Sequence, residues 1–272
     1  MPGGTNWTEQ ETLAAFRLYC STPFGRLHQR NPEIIELAER LGRTPSAVGM
    51  KACNFASLDP AHRARGVTGL PNRSKIEEAI WERFMADSTT VAIEAEEAWE
   101  ACGMPPDGPE HGSDAAPDAP AEPELPDGPS EATRTRSVRL TQAFFRRTVL
   151  SGYGHRCALT GLSHPQLLVA SHIIPWSADE GRRADPRNGL CLNALADKAF
   201  DRGLFTLDDD LAVVLGPSLR DPEVGGTLAE HMAGWEGRRL RPPERFEPDG
   251  EAVRWHRERS LLGQLSPLNP AP

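Results

Sequence analysis

The sequence has 272 residues, which is long enough for two small domains that each bury a core. Its five cysteines are scattered and contain no C-x-x-C pair, which argues against a disulfide framework and against structural zinc. The first ten residues resemble no signal peptide, and no stretch approaches the roughly 18 apolar residues that cross a bilayer. We therefore expect a soluble, cytoplasmic protein with no membrane partner.

The net charge of −9 is distributed unevenly along the chain. Residues 17–75 carry ten Lys and Arg against four Asp and Glu, a local charge of +6, whereas residues 76–131 carry one Arg against sixteen acids, a local charge of −15. Because the acidity is confined to one stretch, the overall charge does not exclude a nucleic acid partner.

The first hundred residues have the pattern of a helical domain. Thr8 and Glu11 form a capping-box pattern before a helix that ends near Pro23. Asn31-Pro32 starts a second helix that stops at Gly42, and Thr44-Pro45 caps a third helix that runs to Phe55. One or two further helices are predicted over residues 75–101. A helix, a tight turn and a capped helix are typical of a helix-turn-helix.

Residues 103–132 are rich in Pro, Asp, Glu, Gly and Ala and have almost no large apolar side chains. Such a segment cannot bury enough apolar surface to offset the entropy of ordering. We therefore predict a helical domain over residues 1–102, a disordered, flexible acidic linker over 103–135, and a second domain over 136–272.

The second domain mixes strands with helices, so the predicted fold class is α+β. A helix from Thr141 to about Ser151 leads into a short strand and turn at Cys157–Gly161. The remaining predicted elements follow in this order: an apolar strand ending at Ser171-His172, a polar loop over 177–187, a strand over 188–192, a short helix over about 193–200, and a hairpin over 205–215.

Three positions in this strand, loop, strand and helix could supply the groups that hydrolysis of a phosphodiester requires. The reaction needs a base that activates water, and the His172 imidazole titrates near neutrality. Asn188, at the start of the next strand, is placed to fix the backbone or ring of that histidine. Position 196 lies on the following helix, where a side chain can point back at the phosphate.

The run VASHIIPWS followed by DPRNGLCLNALADKAFDRGLFTLDDD resembles the HNH, or ββα-metal, endonuclease family. It is most similar to the subgroup that has a C-A-x-T-G turn before the first histidine and no zinc-binding C-x-x-C pairs. The resemblance covers about residues 137–215. It implies that His172 is the general base, that Asn188 is the asparagine of the motif, and that Mg²⁺ or Mn²⁺ is the cofactor.

The last histidine of the motif, a metal ligand in the family, falls on Ala196. Leu195 and the run DKAFD after position 196 keep the pattern in register. Two explanations stay open: an inactivating substitution, or a natural loss of activity. The residue before the base is Ser171, where many HNH enzymes have another ligand, and Asp201 is a candidate contributor whose alternative is a structural carboxylate.

The N-terminal segment resembles helix-turn-helix or Myb/SANT-like modules, which implies that its third helix enters the major groove of DNA. The alternative is a purely structural or oligomerising bundle. The candidate contacts to DNA are Arg43, Ser46 and Lys51 in the turn and third helix, and Arg63, Arg65, Arg73 and Lys75 in and beside the next loop. A solvated loop is the alternative for the arginines of this last set.

These features together predict a restriction-type endonuclease that acts on double-stranded DNA and is impaired in this chain by Ala196. Modification dependence is an expectation from domain arrangement, because no methyltransferase motif accompanies the nuclease. A homodimer is expected because one HNH site cuts one strand. The alternatives are a DNA-binding regulator with a vestigial HNH fold, and a toxin-like nuclease that acts on RNA or without sequence preference.

Overall fold

The structure of the chain is a computed structural model, which describes residues 6–66, 74–105, 129–220 and 222–261. It has helices mainly in the first half and short antiparallel strands in the second, which confirms the α+β prediction. The helices are α1 Glu9–Ser21, α2 Pro32–Arg40, α3 Pro45–Ala56, α4 Pro60–Ala64, α5 Lys75–Ala86, α6 Ser88–Ala101, α7 Pro129–Gly152, α8 Ala194–Asp201, α9 Pro217–Arg220, α10 Pro222–Ala233 and α11 Gly250–Leu261.

The N-terminal helices begin at the caps that the sequence predicts. Thr8 and Glu11 form the capping box of α1, and the side chains of Asn31 and Thr44 accept hydrogen bonds from the first turns of α2 and α3. Each cap satisfies backbone N–H groups that have no partner inside the helix. Aromatic rings fill the core of this bundle, where Phe16 packs edge-on against Phe55 and Phe84.

The centre of the second half is an antiparallel hairpin of β1 Leu168–His172 and β2 Gly189–Asn193. The register pairs His172 with Gly189 at one end and Leu168 with Asn193 at the other. Helix α8 follows β2 directly, because Asn193 is both the last residue of the strand and the N-cap of the helix. The hairpin and α8 thus have the order of strand, loop, strand and helix that the sequence predicts.

A second hairpin pairs β3 Phe205–Leu207 with β4 Val213–Leu215, and α11 packs against β3. The segment Cys157–Gly161, predicted as a short strand and turn, contains a turn and no strand. Its backbone bonds explain this, because Gly161 N–H donates to the Cys157 carbonyl and closes the turn. Within the described residues, no helix is both long and apolar enough to cross a bilayer.

Helix α7 corrects the predicted bounds of the acidic linker. The helix begins at Pro129, so the last seven residues of the linker predicted over 103–135 are helical. An ion pair between Arg136 and Glu100 (2.6 Å) and the packing of α7 on α6 stabilise this extension. The prediction missed it because the contacts join residues far apart in the sequence. Residues 106–128 lie outside the described residues.

The helical and strand-containing halves pack against each other. Phe144 of α7 lies in the apolar core of the N-terminal bundle, 5.8 Å from Phe84 between ring centroids. The fully buried Arg245 guanidinium donates to the carbonyls of Tyr19 and Thr22 and to the Ser151 hydroxyl. These contacts join α1 and the segment that follows it to α7 and the C-terminal part of the chain.

Candidate nuclease site

His172 lies at the end of β1, where helix α7 crosses the hairpin. Its imidazole stacks face to face on the Phe145 ring, with centroids 3.7 Å apart and planes 9° apart. Its Nε2 lies 3.1 Å from the Arg183 carbonyl oxygen, and the Trp176 ring stands edge-on to it at 5.8 Å. A side chain with contacts on a face and an edge is held in one orientation.

The hydrogen bond to Arg183 fixes the tautomer of this histidine. A carbonyl oxygen only accepts, so Nε2 carries the proton and Nδ1 keeps its lone pair in the neutral ring. Burial lowers the pKa of His172 to about 4, the bond to the Arg183 carbonyl opposes this lowering, and the positive charge of Arg183 adds to it. The ring is therefore neutral at pH 7, with Nδ1 ready to accept a proton.

Asn188 holds the segment that follows His172. Its Oδ1 accepts from the Ile174 N–H (2.8 Å), and its Nδ2 donates to the Ile174 carbonyl (3.0 Å). Its own carbonyl accepts from the Ile173 N–H at 2.9 Å. The asparagine is buried, so each of these bonds replaces water that cannot reach the groups. The sequence predicted bonds to the backbone or ring of His172, whereas the structure has them to the backbone of the next two residues, Ile173 and Ile174.

Ala196 lies in the first turn of α8, where its N–H donates to Asn193 Oδ1 (3.0 Å). Its methyl group is fully buried in the apolar core of this half of the chain. Ser171 is also buried, and its hydroxyl has no hydrogen-bond partner among the described residues. Asp201 is at the other end of the helix, five residues on, which places it about 140° around the axis from Ala196.

The divalent ion that the family resemblance implies does not fit these residues. A methyl group stands at the ligand position of α8, a single hydroxyl stands before the base, and Asp201 points from another side of the helix. No group of three or more His, Cys, Asp or Glu side chains that could hold a metal occurs within the described parts of the chain. Hard divalent cations require several oxygen or nitrogen ligands.

Two of the DNA contacts predicted in the helical bundle have structural partners. Lys51 is buried and pairs with Glu77 (3.2 Å), so its ammonium faces α5 and the prediction for this residue is corrected. Arg43 pairs with Glu11 (2.8 Å) and lies over the Trp7 ring (4.2 Å). Neither pair could be predicted from the sequence, because the partners lie 26 and 32 residues away.

The other predicted DNA contacts differ in their exposure and in their partners. Ser46, Arg63 and Lys75 are exposed. Arg65 donates to the Glu244 carbonyl and to His62 Nδ1 (2.9 Å), so it links α4 to the C-terminal half. Arg73 lies outside the described residues. On α3 itself the exposed side chains are those of Ser46 and Met50.

Sequence reasoning missed two residues that shape the site. Phe145 belongs to a helix that was predicted only as a lead-in, and Arg183 lies in a loop with no motif. Gly189 could have indicated the contact with Phe145, because a glycine in a buried strand often marks the close approach of another part of the chain. A Cβ atom at Gly189 would lie 2.4 Å from Val149 Cγ2 and 3.0 Å from Phe145 Cζ, so only glycine lets α7 pack this closely.

A family model matches the part of the chain that holds this site. Residues 157–208 match the family model described as HNH endonuclease, a span that includes His172, Asn188 and position 196. Among solved structures, a protein titled modification dependent TagI restriction endonuclease is similar, with 25% identity, a TM-score of 0.33, and coverage of 43% of this chain and 37% of that chain. No curated protein matches. On the family match, residues 157–208 form an HNH endonuclease domain.

Proposed function

We propose that this chain is a restriction-type DNA endonuclease whose cutting is impaired by Ala196. One observation carries the proposal: in a domain that matches HNH endonucleases, His172 is held as a neutral imidazole with Nδ1 unprotonated. A general base must be unprotonated before it can accept the proton of an attacking water. Burial of the ring against Phe145 keeps it neutral, and the bond to the Arg183 carbonyl places its one proton on Nε2.

His172, Arg183 and Asn188 have different roles in the proposed reaction. His172 accepts the proton of water at Nδ1, and its Nε2–H bond to Arg183 stabilises the imidazolium that forms. Asn188 fixes the backbone of Ile173 and Ile174, which keeps the strand end from shifting when DNA binds. We assign no step to a metal, because the residues at the ligand positions do not fit one.

Impairment follows from the same residues. Mg²⁺ or Mn²⁺ serves HNH enzymes by stabilising charge on the phosphate and on the leaving oxygen. Without the third histidine, this chain keeps its base and loses a ligand, so we infer that it binds DNA better than it cuts it. Replacing Ala196 by histidine adds an imidazole at the family's ligand position.

Recognition of DNA by the helical half is a separate part of the proposal. Exposed Arg63 and Lys75 lie on either side of residues 67–73 and are the described members of the predicted set best placed to meet a phosphate backbone. We propose double-stranded DNA as the substrate, a homodimer for cutting both strands, and modified bases as the recognised feature. The last of these rests on the analogy of domain arrangement.

The test compares the wild-type chain with A196H and A196L on supercoiled plasmid, with Mg²⁺, Mn²⁺ or chelator. A196L adds similar bulk without a ligand, so it separates coordination from packing at this buried position. Of the three proteins, we expect only A196H to nick and linearise the plasmid, and we expect it to do so only when metal is present. Plasmids with unmodified, methylated and hydroxymethylated cytosine test whether cutting depends on modification. If a folded A196H cuts none of these plasmids, the enzyme proposal is contradicted.

A DNA-binding regulator with a vestigial nuclease fold is the second candidate, and the buried methyl group of Ala196 favours it. The codon for residue 196 in the natural gene discriminates the two, because a histidine codon eliminates the regulator. A nuclease directed at RNA is tested by giving A196H a structured RNA. Deletion of residues 1–102 is a poor test of that alternative, because it would expose Phe144, which packs against the deleted helices.

A further inference from the structure

The loop between β1 and β2 contains three arginines, and two of them form close ion pairs with carboxylates that are at least partly buried. Arg182 pairs with Asp249 at 2.6 Å and with Asp179 at 3.5 Å. Arg187 makes a two-pronged contact with the buried Asp185, with distances of 2.8 to 3.2 Å. Both guanidinium groups therefore hold the loop in shape, because breaking such pairs leaves a partly buried charge without compensation.

Arg183 differs from its neighbours. Its Nη2 contacts Glu180 at 3.0 Å, but the Glu180 side chain is 80% exposed. An ion pair with so exposed a partner is worth little, since water and salt screen it. The carboxylate can swing away into solvent, so a competing anion can displace it at small cost.

The guanidinium of Arg183 is nevertheless held in place. Its Nε donates to the Trp176 carbonyl at 3.1 Å, and its Cζ lies 4.9 Å from the centroid of the Trp176 ring. Trp176 is buried and stands edge-on to His172. A guanidinium that rests on an aromatic ring and donates through Nε still presents its two terminal nitrogens, which match the oxygens of a phosphate.

Arg183 also adjoins the base through its backbone, since its carbonyl accepts the Nε2–H of His172. Its guanidinium and the imidazole both lie against the Trp176 ring, so the cation is close to His172. One residue thus orients the base with its carbonyl and places a cation beside it with its side chain. A phosphodiester bound there would lie near the imidazole of His172.

We propose that the Arg183 guanidinium binds the non-bridging oxygens of a nucleic acid phosphodiester next to His172. The inference rests on the proposed function, which brings nucleic acid to this edge of the hairpin. It adds a cation to a site whose family ligand positions hold a methyl group and a hydroxyl. Glu180 serves as the occupant that the phosphate replaces.

The experiment measures binding of the full chain to a labelled duplex by fluorescence anisotropy over a series of salt concentrations. The variants are R183Q, which removes the charge and keeps the carbonyl that orients His172, and R183K, which keeps the charge and loses the planar fork. R220Q is the matched control. Arg220, the last residue of α9, forms an exposed ion pair with Glu236 at 3.0 Å, the same distance as between Arg183 and Glu180. Thermal unfolding of each variant checks that the fold is intact.

For R183Q we expect Kd to rise about tenfold and the slope of log Kd against log salt to fall by about one, the signature of one lost phosphate contact. R183K should keep the wild-type slope and lose part of the affinity. R220Q should match the wild type. Equal losses in R183Q and R183K would show that packing on Trp176 is responsible, and would overturn the proposal.

A wild-type Kd and slope in R183Q would also overturn the proposal. That result leaves the endonuclease proposal intact, because cutting by A196H is measured separately. Absence of salt-dependent binding by the wild-type chain would contradict both, since neither can hold if the chain does not bind nucleic acid.

Discussion

The imidazole of His172 and the ring of Phe145 lie in parallel planes with centroids 3.7 Å apart, and this contact joins the proposed base to a helix outside the segment that matches the family model. Phe144, the preceding residue of the same helix, packs into the core of the N-terminal bundle. Neighbouring aromatic residues on α7 thus face the two halves of the chain. The position of the His172 imidazole therefore depends on how α7 packs against the bundle.

Removing the stack should change how His172 titrates. In F145A, water reaches the ring, so we expect the pKa of His172 to rise from about 4 toward 6.5, whereas F145L keeps apolar bulk and should give a smaller rise. NMR titration of the imidazole measures both values. An unchanged pKa in a folded F145A would show that Phe145 does not shield the base.

The same pKa has a consequence for the stability of the folded chain. The folded value of about 4 lies below the ordinary 6.5, so the unfolded state binds more protons between these pH values. The contribution of His172 to the free energy of unfolding therefore rises with pH across this window. We expect H172N to flatten the dependence of that free energy on pH between 4 and 6.5, measured by urea unfolding, and an unaltered dependence would contradict the assignment.

Glycine at position 189 should be required by the approach of α7. In G189A the new Cβ would overlap the Val149 side chain at 2.4 Å, so we expect a loss of about 1 to 3 kcal/mol in the free energy of unfolding. V149A makes room at that contact, and the double variant G189A/V149A should lose less than the two single losses combined. Strictly additive losses in urea unfolding would mean that the two residues do not interact.

Asn188 should matter through the backbone of Ile174. In N188A the N–H and carbonyl of Ile174 lose their partner in a buried site, which should cost about 2 to 4 kcal/mol of unfolding free energy. Hydrogen exchange at the Ile174 amide should accelerate more than exchange at the amides of α2. N188D is the matched variant, since it keeps an acceptor for the Ile174 N–H and loses the donor, so slow exchange in N188D together with fast exchange in N188A would identify the bond that matters.

The sequence predicted local features well and long-range contacts poorly. The starts of α1, α2 and α3 were predictable because Thr8, Asn31 and Thr44 cap their own helices within three residues. Burial of Lys51 was not, because Glu77 approaches it only after α5 packs on α3. A lysine in a basic stretch indicates a nucleic acid contact until the fold supplies its partner.

The candidate site divides in the same way. His172, Asn188 and position 196 follow a spacing pattern that the sequence displays directly, and the family match includes all three. Phe145 and Arg183 act through a stack and a backbone carbonyl, and neither a ring face nor a carbonyl oxygen leaves a pattern in residue types. Their contribution depends on α7 and on the loop before β2, so it became visible only in the folded structure.

The central claim is that His172 is the base of a nuclease site that lacks a metal ligand at position 196. The most direct measurement compares plasmid cutting by A196H with cutting by A196H/H172A under identical metal and salt conditions. We predict metal-dependent cutting by the first and none above the wild-type level by the second, with both proteins folded. Equal cutting by the two variants would contradict His172 as the base, and no cutting by a folded A196H would contradict the account of position 196.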